Sequence, residues 1–184
     1  AENSNYETAY ASATVTITPK AVNVTAKPVT KVYDGTAATI PEDNASVNGL
    51  LGSDTVSYTV TFAEGTDLIN VQTATADAVV ASGEALQGNY SVTYHNNTLT
   101  ITAASAENLG LTATSYNKPY DANAHSISAS TTVSEGTTLY YSTDESNWST
   151  TAPTWTNVTA AQTVYVKAEN SNYETAYASA TVTI

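Results

Sequence analysis

The chain has 184 residues, with five Lys, no Arg, seventeen acidic side chains and a formal net charge of −12. Such a surface repels phosphate backbones and anionic lipid headgroups, which argues against nucleic-acid and peripheral membrane binding. There is no Cys, no apolar run of about twenty residues, and no secretion leader or lipidation motif. Disorder is the other reading of so polar a composition, but the apolar residues here are patterned and not scattered.

The pattern has period two. In residues 10–17, Ala, Val and Ile alternate with Tyr, Ser and Thr, which predicts a half-buried strand. Val22 and Val24 begin the next alternation, followed by Val56, Tyr58, Val60 and Phe62, then residues 74–80. Residues 90–94 and 98–102 flank His95-Asn96-Asn97, and apolar parity changes from even (Val92, Tyr94) to odd (Leu99, Ile101) across it. That combination predicts a hairpin with a three-residue loop. A second hairpin is predicted between residues 139–142 and 148–151 around the polar turn at residues 143–147. Val164 and Val166, then Ala176 to Ile184 in steps of two, complete the series. No stretch carries a helical stripe, so antiparallel sheets with one wet face are expected.

Two repeats are nested in the chain. The first seventeen residues, AENSNYETAYASATVTI, recur without change as residues 168–184, at a spacing of 167. Without a Met, and with matched ends, the chain reads as an internal slice of a tandem array. Within that period, Lys31-Val32-Tyr33-Asp34 is echoed by Lys118-Pro119-Tyr120-Asp121. Asn89-Tyr90 before Thr98-Leu99-Thr100-Ile101 is likewise echoed by Asn172-Tyr173 before Thr181-Val182-Thr183-Ile184. The boundaries predicted are residues 18–104 and 105–184 as two domains, with residues 1–17 as the closing strand of a preceding one.

The segments ITPKAVNVTA, TKVYDGT and GNYSVTYHNNTLTIT make residues 15–102 resemble the YDG and MBG-type repeat domains of bacterial surface adhesins. Residues 105–184, with YNKPYDANAHSI and VYVKAENSNYETAYASATVTI, resemble a related, divergent surface repeat. Ala122 stands there where the pattern has glycine, so a different turn after Asp121 is expected. The resemblance implies an all-β architecture. Two small tandem β-sandwich-like or β-grasp-like domains would form an elongated end-to-end array. It also implies an extracellular, cell-wall-attached or secreted location, which a Cys-free Thr/Ser/Asn-rich composition suits. The implied role is a stalk that projects an adhesive tip, its partners being neighbouring repeats of the same chain. Multivalent binding to host glycan or mucin is the alternative.

Candidate sites are few. Trp148, Trp155, Tyr140 and Tyr141 cluster in sequence and offer aromatic faces for a sugar, although in a chain poor in Leu and Ile they are expected to form core. A Lys–Asn isopeptide bond would join Lys31 to Asn89 with Asp34 assisting, or Lys118 to Asn172 with Asp121 assisting. Either requires a buried, neutral lysine. Calcium is the candidate cofactor, but the acids are scattered with no D-x-D-x-D-G run. No nucleophile, zinc or phosphate-loop motif supports an enzyme. Residues 1–17, lacking their own domain, are expected to fray or to add to an open sheet edge of another molecule by strand exchange.

Overall fold

The computed structural model describes residues 1–184 and is built from short strands, with a single 3-10 turn at Ala106–Leu109 and no α-helix. Its framework in the N-terminal half is a pair of long parallel segments. Lys20–Ala26 (β1) and Val29–Val32 (β2) form one, while Tyr90–His95 (β7) and Asn97–Thr102 (β8) form the other. They stay in one register throughout: Lys20 faces Tyr90, Thr25 faces His95, Val29 faces Leu99 and Val32 faces Thr102.

Midway, both segments pass from one sheet to another. Ala45–Asn48 (β3) and Leu86–Gln87 (β6) flank β1 and β7 in the order β3-β1-β7-β6. Thr59–Phe62 (β4) and Gln72–Ser82 (β5) extend the second sheet in the order β2-β8-β5-β4. A strand that crosses between two packed sheets must present its opposite face to the shared core. Accordingly Val22, Val24 and Ala26 are buried before the crossing and Val29 after it; Tyr90 and Val92 precede Leu99 and Ile101 in the same way. All belong to one core, with Val60, Ala78, Val79 and Ala81.

The crossing corrects the predicted hairpin at residues 90–102. β7 and β8 do not pair with each other; they run on in one direction, beside β1 and β2. His95-Asn96-Asn97 is a corner and not a turn. Asn97 Nδ2 donates to the Ala26 carbonyl (2.9 Å), Asn96 Oδ1 accepts from the Ala81 N–H (3.3 Å), and His95 Nε2 meets Asn23 Oδ1 (3.0 Å). The two asparagines satisfy backbone groups that the bend takes out of the ladders, and the histidine contact ties the corner to β1. Pro28, which has no N–H to satisfy, occupies the matching bend.

In the C-terminal half, Tyr116–Asn117 (β10), Thr138–Ser142 (β12), Gln162–Glu169 (β13) and Ala176–Thr183 (β14) form a sheet ordered β10-β14-β13-β12. Thr112–Thr114 (β9) and Ser128–Ser130 (β11) pair separately. Val164, Val166, Ala180 and Val182 point inward with Ile127; Leu109, Ala168 and Ala176 form a smaller cluster nearest the N-terminal half. Again the opening and closing segments are parallel. Ala104 bridges Tyr173, and Tyr116 faces Val182.

The parallel framing fixes where the chain enters and leaves each half. It enters the first at Lys20, whose N–H meets the Asn89 carbonyl (2.8 Å), and leaves at Thr102, whose carbonyl accepts from the Tyr33 N–H (2.9 Å). It enters the second at Ala104, beside Asn172 and Glu174, and leaves at Ile184, which exchanges backbone hydrogen bonds with Thr159 (3.0 and 3.3 Å). Entrance and exit lie at opposite ends in both halves. Residues 10–17, expected as a strand, form none. Across residues 1–17 every side chain is exposed, and a lone bridge joins Asn3 to Tyr6.

Candidate functional site

Three places gather the polar and aromatic side chains. The first is the outer face of the C-terminal sheet. Odd-numbered residues of β13 and β14 face away from the core, and the register sets Tyr140, Lys167 and Tyr177 in one row across β12, β13 and β14. The predicted second hairpin closes onto this row through mutual backbone hydrogen bonds between Tyr141 and Ser149 (2.7 and 2.9 Å). Its turn is held by Asp144, whose Oδ1 accepts from the N–H groups of Ser146 (2.9 Å) and Asn147 (2.8 Å) and from the Ser142 hydroxyl (2.9 Å). These bonds, those of Asn147 foremost, hold the Asp144 carboxyl well below the usual range.

The hairpin lays Trp148 over the row. Lys167 Nζ sits 4.9 Å from the Tyr140 ring centre and 5.1 Å from that of Trp148, and Tyr177 meets Trp148 edge-on at 6.4 Å. Glu169 accepts from Lys167 Nζ (2.6 Å) and is the largest cause of that ammonium's raised pKa. A groove of about 300 Å³ opens beside the indole, lined by Glu145, Trp148, Tyr165, Tyr177, Ala178 and Ser179. The four aromatic candidates therefore divide. Tyr141 and Trp155 pack against the core as expected, whereas Trp148 and Tyr140 lie on the outer face. Tyr165, Lys167 and Tyr177 were not among the candidates. Their shared odd parity with Ser179 was the available signal, but using it required the register between β13 and β14.

The second place is the pair of Lys-x-Tyr-Asp motifs. Lys31 Nζ contacts Asp34 Oδ1 (2.7 Å), Thr36 Oγ1 (2.6 Å) and the Thr36 carbonyl (2.7 Å). The hydrogen bonds from Lys31 and then Thr36 lower the Asp34 pKa to about 2. Asp121 is lowered to about 2 chiefly by His125 Nε2 at 2.7 Å and then by the Asn123 N–H. The two turns have the same form despite the missing glycine, which corrects the expectation for Ala122. Asp34 Oδ1 accepts from Thr36 N–H and Asp121 Oδ1 from Asn123 N–H, each at 2.9 Å. Gly35 has φ +79° and Ala122 +66°, both in the left-handed region.

The proposed cross-link partners are not brought together. Lys31 faces Ile101 near one end of the β7–β8 segment, while Asn89 precedes its other end. Lys118 donates its N–H to Thr183 near the far end of β14, while Asn172 precedes the near end. Nor do three or more His, Cys, Asp or Glu side chains converge on a common point anywhere in the chain.

Asn172 instead belongs to the third place, the junction between the halves. Its Oδ1 accepts from the Val71 N–H (2.9 Å) and its Nδ2 donates to Asn70 Oδ1 (3.0 Å). Asp67 presents Asn70 by accepting from its N–H (3.0 Å) and Nδ2 (2.8 Å), which also lowers the Asp67 pKa. Beside them Tyr33 and Tyr173 pack edge-to-face, with ring centres 5.3 Å apart. The tyrosine of the first Lys-x-Tyr-Asp motif thus touches the tyrosine of the second Asn-Tyr pair.

These features describe an all-β protein of several small sheets, framed by parallel opening and closing strands and lacking a deep cleft. The chain belongs to the YDG domain family, which its residues 18–109 match. The match runs past Thr102 to Leu109, a residue that packs with Ala168 and Ala176. No curated protein and no solved structure matches the chain.

Proposed function

We propose that this chain is one period of a tandem array, the stalk of a bacterial cell-surface adhesin or fibre, holding an adhesive tip away from the cell wall. Each period comprises two domains, residues 18–104 and 105–184, and residues 1–17 close the domain before them. The observation that carries this reading is the placement of entrance and exit at opposite ends of each half. Domains joined in that way add their lengths, whereas domains with adjacent termini hang from a thread. The parallel pair spanning residues 20–32 and 90–102 is about 40 Å long at roughly 3.3 Å per residue.

Two further facts support it. The accessible surface is 11778 Å² for 19.2 kDa, against about 8,400 Å² for a compact monomer of that mass. The exposed segment 1–17 contributes to the excess. In addition, the junction is bridged by side chains from both halves, Tyr33 on Tyr173 and Asn70 to Asn172. An extracellular site, with neighbouring repeats of the same chain as the main partners, follows from this role and from the acidic, Cys-free composition.

Small-angle scattering tests the proposal. Two halves end to end, about 80 Å in all, give a radius of gyration of about 23 Å, whereas a compact chain of this length gives about 16 Å. A value near the lower figure rejects the stalk.

A further inference from the structure

We propose that the groove beside Trp148 binds a neutral saccharide. The stalk reading leaves this groove without a purpose. Trp148 packs over the outer face of a sheet whose other side is already filled by Val164, Val166, Ala180 and Val182, so the indole is not needed to close the core. Its position is nevertheless fixed on three sides. Lys167 lies over its ring, Tyr177 meets its edge, and Nε1 donates to the Glu145 carbonyl (3.1 Å). Glu145 itself holds a left-handed backbone, φ +60°, which a non-glycine residue seldom adopts, and its carbonyl faces the indole N–H. Tyr177, by contrast, is 70 % exposed, so its ring is open to solvent beside the indole.

Around these rings stand polar groups that hold no partner within the chain: the Glu145 carboxylate and the hydroxyls of Tyr165, Tyr177 and Ser179. Aromatic faces flanked by uncommitted hydroxyl and carboxylate groups match the two surfaces of a pyranose, its apolar C–H face and its ring of hydroxyls. The volume of about 300 Å³ is at the small end of ligand pockets, enough for a short stretch of sugar.

Charge selects among saccharides. Lys167 is neutralised by Glu169, which leaves the Glu145 carboxylate as the unpaired charge of the groove, within a chain of net charge −12. Uronate, sialyl and sulfate groups are therefore disfavoured. A cationic ligand is disfavoured too, because the Lys167 ammonium already lies over the indole. A neutral sugar meets neither obstacle. If the array reading holds, the groove recurs every 167 residues and weak sites gain avidity; the single site does not depend on that reading.

The test uses the full chain as a monomer, so its outcome is independent of scattering. Titrate lactose, maltotriose and chitotriose as neutral probes and sialyllactose as the anionic one, following tryptophan emission and heat. At least one neutral probe is expected to give a saturable change. Tyr177→Ala, at an exposed position, is expected to weaken it about tenfold while the thermal transition is retained. Sialyllactose is expected to bind about tenfold more weakly than the best neutral probe. The proposal is overturned if no neutral probe saturates, if Tyr177→Ala binds as well as the parent chain, or if sialyllactose binds as tightly as the neutral sugars.

Discussion

Residues 1–17 and 168–184 share one sequence and have two structures. In the second copy, Ala176–Thr183 is the inner strand β14, paired along its length with β13 and at its far end with β10. In the first copy the same alternation forms no strand, and Val15 is 90 % exposed where its counterpart Val182 is fully buried. Tyr6 is exposed, while its counterpart Tyr173 packs on Tyr33. Strand preference is thus a property of the slot and not of the segment: β-branched residues stabilise a strand by packing on a neighbour, and without one the backbone gains nothing by extending.

The sharpest way to break this comparison is to place one charge in both copies. Val182→Asp buries a carboxylate among Val164, Val166 and Ile127, at an expected cost of more than about 4 kcal/mol, enough to unfold the C-terminal half. Val15→Asp is expected to change stability by less than about 0.5 kcal/mol. Thermal unfolding followed by near-ultraviolet circular dichroism measures both. A large loss from Val15→Asp, shrinking on dilution, means instead that residues 1–17 occupy a strand slot on a second molecule.

A smaller effect separates the two Lys-x-Tyr-Asp turns. Gly35 and Ala122 hold the same left-handed backbone, but only Ala122 bears a Cβ there. Ala122→Gly is expected to stabilise the C-terminal half by about 1 kcal/mol, and Gly35→Ala to destabilise the N-terminal half by a similar amount. Nothing lies within 4 Å of a Cβ built at Gly35, so the penalty there is backbone strain without a clash. Denaturant melts of both variants check the signs. Equal and opposite shifts mean the two turns are one device; a destabilising Ala122→Gly means the Ala122 methyl packs usefully and the likeness is superficial.

The same pair of halves shows what alternation reveals and what it hides. β13 and β14 are legible because period two, held over eight residues each, admits a single inward face. The β7–β8 segment carries the same signal and reads as a hairpin, which it is not. Its parity change at His95-Asn96-Asn97 suits a reversing loop and a sheet-crossing bend equally well. What distinguishes them is a second parity change, from Ala26 to Val29 across Pro28: two strands that flip together cross together. The groove and the outer-face row beside it are half legible. Trp148 and Tyr140 stand out by type, but Tyr165, Lys167 and Tyr177 join them through strand register, which a sequence does not print.

Acid provides the gentlest test, because the groups involved lie in solvent-exposed turns where water and salt weaken every bond they make. Asp34 and Asp67 in the N-terminal half, and Asp121 and Asp144 in the C-terminal half, all have lowered pKa values, Asp34 and Asp121 to about 2. A carboxyl whose folded pKa lies below its unfolded value near 3.8 binds its proton more readily in the unfolded chain. Its stabilisation is complete above that unfolded value and is lost as pH falls through the folded one. Both halves are therefore expected to hold constant stability down to about pH 5 and to weaken between about pH 4 and pH 2. Asp144→Asn and Asp34→Asn keep a side-chain oxygen that can still cap each turn but remove the titrating proton, so each is expected to lessen the acid slope of its own half, where Asp121 or Asp67 still titrates, and leave the other unchanged. Melting temperature against pH, at low and high salt, measures this. If both variants retain the full acid slope, these turns are not closed in solution, and the likeness between the halves ends at the backbone.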